Sequence, residues 1–210
     1  MTTCVASQIN RQYNCAMKLP PDFFRVRGIE GRRDLSGEIA VSGSKNAALP
    51  MIAASLLFSD DVRLTNVPDI EDIARSDELL SALGVSVSRS RSNEFSVRVP
   101  KSIRTSLDAK LSGRMRASVL FTAPILARFG CVDFPHPGGC VIGKRPIDFF
   151  LEGYKKMGAR LEVTERSYKI RAENGLHGAE IFLRMPSVTV TEALMIAGVM
   201  AEGTTTIGNA

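Results

Sequence analysis

The stretch PGGCVIGKRPID, residues 137–148, sets Cys140 in a turn punctuated by glycine and proline, then follows it with Lys144, Arg145 and Asp148. A free thiol titrates near about 8.5, and fixed cations close by favour the thiolate. Gly138, Gly139 and Gly143 let the backbone of such a turn approach a ligand. This combination suits a nucleophile or a proton donor beside an anionic substrate. The plainer alternative is a small cysteine buried in a turn. Cys131, in the apolar run CVDF, reads as a core residue of that kind. Pro146 fits the first turn of a helix, where its missing N–H is no loss. Asp148 then stands on that first turn. It either complements the helix dipole or accepts a hydrogen bond from a ligand hydroxyl.

A second group lies in SGSKNAALP, where Lys45 and Asn46 open an apolar helix. A cation at that terminus faces the positive end of the helix dipole. A bound anion would remove the conflict, because backbone N–H groups and the ammonium would point at it together. The alternative is a solvated lysine at a helix start. Arg114 and Arg116, in RMRAS, occupy the corresponding start of a second helix, so two similar termini each carry a cation. Ser187, Thr189 and Thr191 open a third, reading either as caps or as phosphate contacts. His136 and His177 have no evident partner and read as loop residues.

The elements that must position these residues repeat along the chain. Aligning Ala47 with Ala117 gives an offset of 117 − 47 = 70, and aligning Gly84 with Gly158 gives 158 − 84 = 74. The four extra residues fall in the turn that carries Cys140. Each copy reads as an apolar helix, a short strand (VRLTN or CVDF), a loop, a second helix ending at glycine, and two alternating strands. The order suggests α/β units with right-handed crossovers. A third copy opens near Ser187 with TEALMIAGVMAEGTTTIGN and holds one helix and one strand. Repeat units bury their faces against neighbours, so a unit cut at that point leaves apolar surface to be covered by further polypeptide or a partner chain. The first helices, ALPMIAASLL, SVLFTAPILARF and EALMIAGVM, are apolar on nearly every side and are expected to be buried all round. The strands alternate, leaving each sheet one wet face. Helices inside and sheets outside is the architecture that satisfies both. Pro50 and Pro124 fall within the helices and start or kink them.

Composition sets the outer limits. The chain has 210 residues, 44% hydrophobic and 23% charged, as in a globular protein with a sizeable core. The net charge of +5 suits anionic small molecules, and no basic run with interleaved aromatics points to nucleic acid. No apolar run reaches the roughly 20 residues of a membrane span. Cys4, Cys15, Cys131 and Cys140 form no C-x-x-C pair and no Cys/His cluster, so neither a disulfide framework nor a zinc site is expected. A reducing, cytoplasmic setting follows. Residues 1–23 read as a tail, as a start placed too early with Met17 the alternative, or as a weak organellar presequence.

Taken together, SGSKNAALP, RMRAS, PGGCVIGKRPID and AEGTT resemble the UDP-N-acetylglucosamine 1-carboxyvinyltransferases, a family of enolpyruvyl transferases, over residues 24–210. The resemblance implies an inside-out α/β barrel. Residues 24–44 would be strands belonging to a second domain, and 45–210 an incomplete first domain with units at 42–99, 111–183 and 187–210. It implies transfer of an enolpyruvyl group from phosphoenolpyruvate to the 3-hydroxyl of UDP-N-acetylglucosamine, with release of phosphate, as the first committed step of peptidoglycan synthesis. Lys45 and Asn46 would contact phosphoenolpyruvate. Arg116, Arg145, Pro146, Ile147, Asp148, Ser187 and Val188 would hold the nucleotide sugar and its anionic groups, and Cys140 would be the catalytic thiol. No metal and no organic cofactor is implied. Where the family commonly carries a lysine before the Ser-Val pair, this chain reads Met185 and Pro186. Family members are longer, and their additional half supplies an aspartate and an arginine to the site. The other readings are a non-catalytic nucleotide-sugar-binding module and the shikimate-pathway enolpyruvyl transferase. Cysteine at position 140, where aspartate would resist, further implies covalent capture by fosfomycin. Fosfomycin labelling is therefore expected to disappear in Cys140→Ser and persist in Cys131→Ser, read by peptide mass spectrometry. Equal labelling of the two variants would refute the assignment.

Overall fold

The structure, a computed structural model, describes residue 31 and residues 36–90, 93–136 and 147–210. The chain divides into two compact units, Met1–Ala40 and Val41–Ala210. Gly31 and residues 36–40 are the described part of the first and carry no helix or strand. The elements below all belong to the second unit, and residues 41–44 enter it without regular structure.

The first copy runs α1 (Lys45–Ala54), a 3-10 turn (Ser55–Leu57), β1 (Val62–Leu64), α2 (Glu71–Leu83), β2 (Ser86–Arg89) and β3 (Phe95–Arg98). A linking helix follows, α3 (Ala109–Arg114). The second copy runs a 3-10 helix (Arg116–Phe121), α4 (Thr122–Phe129), β4 (Cys131–Pro135), α5 (Asp148–Lys156), β5 (Arg160–Val163) and β6 (Ser167–Arg171). After β7 (Glu180–Phe182), the third copy supplies α6 (Val188–Gly198) and β8 (Thr206–Gly208). The repeat is physical. Gly84 and Gly158 follow α2 and α5 with φ of 91° and 92°, the left-handed conformation glycine adopts without strain. Shifting β2 by 74 residues gives β5, since 86 + 74 = 160.

Sheet topology refines the crossover reading. The orders are β1-β3-β2 and β4-β6-β5, and every pair within them is antiparallel. β1 and β2 are therefore parallel to each other with β3 inserted between them, a split β-α-β unit closed by α2. The pattern had read as simple α/β crossovers because alternation within a strand does not say which strand lies beside it. Parallel pairing appears where units meet. β7 pairs with β8, and Ser106 bridges Asp133 of β4.

The first helix of each copy forms the interior. α4 packs on α6, and α1 packs on the 3-10 helix and on α6. Ile52, Ala53, Phe121, Ile125, Leu126, Ala193 and Leu194 are fully sealed from solvent. Arg128, on the last turn of α4, donates to the carbonyls of Leu56 at 2.8 Å and Phe58 at 2.6 Å. The C-terminal ends of α1 and α4 thus meet, while α1 itself packs on the 3-10 helix that leads into α4, so the two segments run in the same direction and start at the same end of the unit. Pro124 lies in the first turn of α4, where continuing an α-helix upstream would drive its ring into the Leu120 carbonyl. Residues 116–121 accordingly wind as a 3-10 helix and the α-helix begins only at Thr122, in keeping with a proline that starts the helix.

Burial all round holds for α4, none of whose residues is exposed, and fails for α1, where Ala47 and Met51 are exposed, and for α6. Val188, Met195 and Val199 form one outward stripe, with Val188 and Val199 each 72% exposed. The apolar pattern registers hydrophobicity on every side of α6 but not which neighbours are present. Among the described residues, no helix is long and apolar enough to cross a membrane, and no group of three or more His, Cys, Asp or Glu residues could hold a metal.

Tyr154 of α5 is sealed from solvent, and its hydroxyl meets Thr122 Oγ1 at 2.9 Å. Thr122 in turn donates to the Val119 carbonyl at 2.6 Å. Burial pushes this phenol well above its ordinary range, with the Thr122 bond opposing in part. Above the ordinary tyrosine value of about 10, the unfolded chain holds fewer protons than the folded one, so stability falls as pH rises. Tyr154→Phe is expected to lose about 0.5–1.5 kcal/mol at neutral pH through the missing hydrogen bond and to show a shallower decline above pH of about 10. Urea unfolding across the alkaline range measures both. An unchanged alkaline slope would count against the buried phenol as its source.

Candidate active site

The start of α1 is built by a close approach. A Cβ at Gly43 would sit 1.7 Å from the Asn66 carbonyl oxygen, so only glycine lets the chain pass that turn and enter the helix. Asn66 itself takes φ 55°, a region asparagine tolerates better than most residues. Ser44 then caps α1, its Oγ accepting from the Ala47 N–H at 3.4 Å. Lys45 and Asn46 are the first two helical residues, both exposed, and their own N–H groups have no intrahelical acceptor by position. Pro50 has no N–H to give the Asn46 carbonyl, which is left for another donor.

No acid lies in the first turn of α1. The conflict between Lys45 and the helix dipole is answered instead by α2. Asp72 Oδ2 lies 2.5 Å from Lys45 Nζ. Asp72 belongs in turn to the first turn of α2, where a carboxylate is favoured by the dipole. One turn on, Ser76 donates to the Asp72 carbonyl at 2.8 Å and lies 3.6 Å from the Met115 sulfur. Beside it, Arg75 pairs with Glu71 and donates to the Arg114 carbonyl that ends α3. The first two turns of α2 thereby hold both Lys45, through Asp72, and the end of α3, through Arg75. Arg116 is exposed at the first position of its 3-10 helix. Lys45 and Arg116 thus open two parallel helices at one end of the unit.

A second group forms around α5 and α6. Ile147 is buried at the N-cap position of α5, and its carbonyl accepts from Phe150 N at 3.0 Å. Asp148 is exposed beside it at the first helical position. Arg184, three residues before Ser187, pairs with Glu152 and lies over the Phe149 ring at 5.5 Å. This draws the strand-to-helix link before α6 onto the first two turns of α5. Ser187 caps α6, with its Oγ 3.5 Å from the Val190 N–H and its carbonyl accepting from Thr191 Oγ1 at 2.9 Å. Val188 is exposed. α6 packs against α1 and against the 3-10 helix of Arg116, joining the two groups. Cys140, Arg145 and Pro146, with Lys144, lie outside the described residues.

The remaining candidates are structural. Cys131 is half-buried rather than sealed, and its thiol lies 3.5 Å from Thr105 Oγ1. The backbone N–H of His136 donates to the Arg166 carbonyl at 3.0 Å, and its Nε2 lies 2.8 Å from the Thr164 carbonyl. His177 bridges to Glu202.

Residues 29–210 match the family described as EPSP synthase (3-phosphoshikimate 1-carboxyvinyltransferase). The chain belongs to the EPSP synthase family. A UDP-N-acetylglucosamine 1-carboxyvinyltransferase of Shewanella woodyi is 43% identical over 182 residues, covering 87% of this chain and 43% of that protein. The one from Idiomarina loihiensis is 44% identical over 189 residues, covering 90% and 44%. The chain thus spans less than half the length of these relatives. The enolpyruvyl transferase NikO from Streptomyces tendae superimposes with a TM-score of 0.70 at 24% identity, over 82% of this chain and 40% of that one. An EPSP synthase from Acinetobacter baumannii gives 0.64 at 20% identity. These likenesses establish the enolpyruvyl transferase fold, with helices inside and sheets outside. Among the described residues, no sheet closes on itself into a barrel.

In this EPSP synthase family chain, sequence reasoning found the two cationic helix starts and missed Gly43, Asp72, Arg75 and Arg184. Glu71 and Asp72 read as ordinary dipole complements of α2, and nothing in their spacing marks a partner on α1. Gly43 alone carried a signal, as a glycine one residue before a capping serine. Gly43→Ala is expected to cost about 1–3 kcal/mol, because backbone must move to admit the methyl group. Gly113→Ala, on α3 with nothing within 4 Å of the added carbon, serves as the control. Helix propensity there predicts a gain of about 1 kcal/mol. Thermal unfolding of the two variants checks both signs.

Proposed function

We propose that this chain carries the phosphoenolpyruvate side of an enolpyruvyl transfer site whose acceptor is the 3-hydroxyl of UDP-N-acetylglucosamine, the first committed step of peptidoglycan synthesis in the cytoplasm. The observation that supports it most is the common end shared by Lys45 and Arg116, on parallel interior helices of an EPSP synthase family fold. Lys45, Asn46 and the free N–H groups of α1 receive the phosphate and carboxylate of phosphoenolpyruvate. Arg116, Arg145, Pro146, Ile147, Asp148, Ser187 and Val188 receive the nucleotide sugar.

The chemistry is addition followed by elimination. The sugar hydroxyl gives its proton to a base, the aspartate of the additional half, and its oxygen bonds to C2 of phosphoenolpyruvate as C3 takes a proton. The C2–O bond to phosphate then breaks, and C3 returns a proton to restore the double bond. Cys140 serves as the proton donor to C3 or as a nucleophile at C2, and the cations around it offset charge on the leaving phosphate.

The apolar stripe on α6 and the coverage of the relatives support a further part of the reading. A carboxyl-terminal half or partner chain covers that stripe and completes the site. The purified chain alone is therefore expected to release no phosphate from the two substrates. Release is expected once the carboxyl-terminal half of a relative is added, and then only with both substrates present. Phosphate release by the chain alone would overturn the half-site reading. Release that requires shikimate 3-phosphate instead would favour the shikimate-pathway reaction. Nucleotide-sugar binding without turnover even with the added half would favour a non-catalytic binding module.

A further inference from the structure

We propose that Asp72 is a positioning residue for Lys45, taking one of the three N–H donors of the ammonium and aiming the other two at the incoming anion. The proposal rests on the reading of Lys45 as a phosphoenolpyruvate ligand. Three observations carry it. The carboxylate and ammonium are 2.5 Å apart, while the Lys45 side chain remains 50% exposed and open to a ligand. The first turn of α1 offers no acid of its own, so without Asp72 the side chain would swing away from the positive helix end. Asp72 stands on a braced element, because the next turn of α2 carries the Ser76 bond to its carbonyl and the Arg75 bond to the Arg114 carbonyl. The same two turns thus fix Lys45 relative to the segment leading into Arg116.

Charge and position predict opposite signs, and this makes the test decisive. If Asp72 acted only through its charge, Asp72→Asn would tighten anion binding and Asp72→Glu would leave it unchanged. Positioning predicts that both variants bind phosphoenolpyruvate about tenfold more weakly, the scale of one charge-assisted hydrogen bond. That loss should vanish in a Lys45→Met background, since the cycle isolates the pair. Titration calorimetry on the whole chain reads the affinities, and thermal unfolding confirms that the variants remain folded. A tighter Asp72→Asn, or a loss that persists without Lys45, would overturn the proposal.

A second measurement needs no ligand. Acetylation of Lys45 by acetic anhydride, followed by peptide mass spectrometry against exposed Lys101 in the same sample, is expected to quicken about fivefold in Asp72→Asn as the hydrogen-bonded ammonium is released. An unchanged rate would show that Asp72 does not hold it. If the wild-type chain shows no affinity for phosphoenolpyruvate, the functional reading fails, and acetylation alone decides whether Asp72 positions the lysine.

Discussion

The parallel alignment of the interior helices is the constraint on which the rest depends. Arg128 enforces it by placing a guanidinium from the end of α4 on the carbonyls that follow α1. Those carbonyls would otherwise be left open as the chain leaves its helix, and the cation suits the negative end of α4 as well. With both C-terminal ends tied together, the starts of α1 and the 3-10 helix are carried to the opposite end. A cation at each start then becomes part of one surface. Antiparallel packing of the same helices would carry Lys45 and Arg116 to opposite ends of the unit.

α2 adds a second layer to that arrangement. Its Asp72 neutralises what α1 cannot neutralise for itself, and its Arg75 closes α3 before the chain turns into Arg116. The local helix rules are thus satisfied across elements rather than within them. Lys45 at a helix start is poor design for an isolated helix. Departures of that type collect where a chain has other work for the residue.

Much of the architecture was legible in the sequence for physical reasons. Gly84 and Gly158 mark helix ends because left-handed backbone needs them. The strands that follow alternate because one face of each sheet is wet. The apolar character of the first helix of each copy marked which helices lie inside. What stayed hidden depends on pairing at a distance. Insertion of β3 between β1 and β2, the approach of Gly43 to Asn66, and the reach of Asp72 to Lys45 leave no periodic trace. The open stripe on α6 was invisible for a related reason. Val188, Met195 and Val199 have the composition of a core, and only the arrangement of neighbours shows that side uncovered. For the candidate site, residue types and helix positions were readable, whereas the bracing behind them was not.

The split β-α-β unit has a kinetic consequence. Val62 pairs with Val97 and Val132 with Ile170, separations of 97 − 62 = 35 and 170 − 132 = 38 residues. Each three-stranded sheet therefore closes within its own copy, at modest loop-closure entropy and with no help from the other. Docking of the interior helices is what must span the chain. Loop-closure entropy alone thus favours pairing within each copy over helix docking between copies. A nascent polypeptide emerging from the ribosome can complete its first sheet before the second has been synthesised.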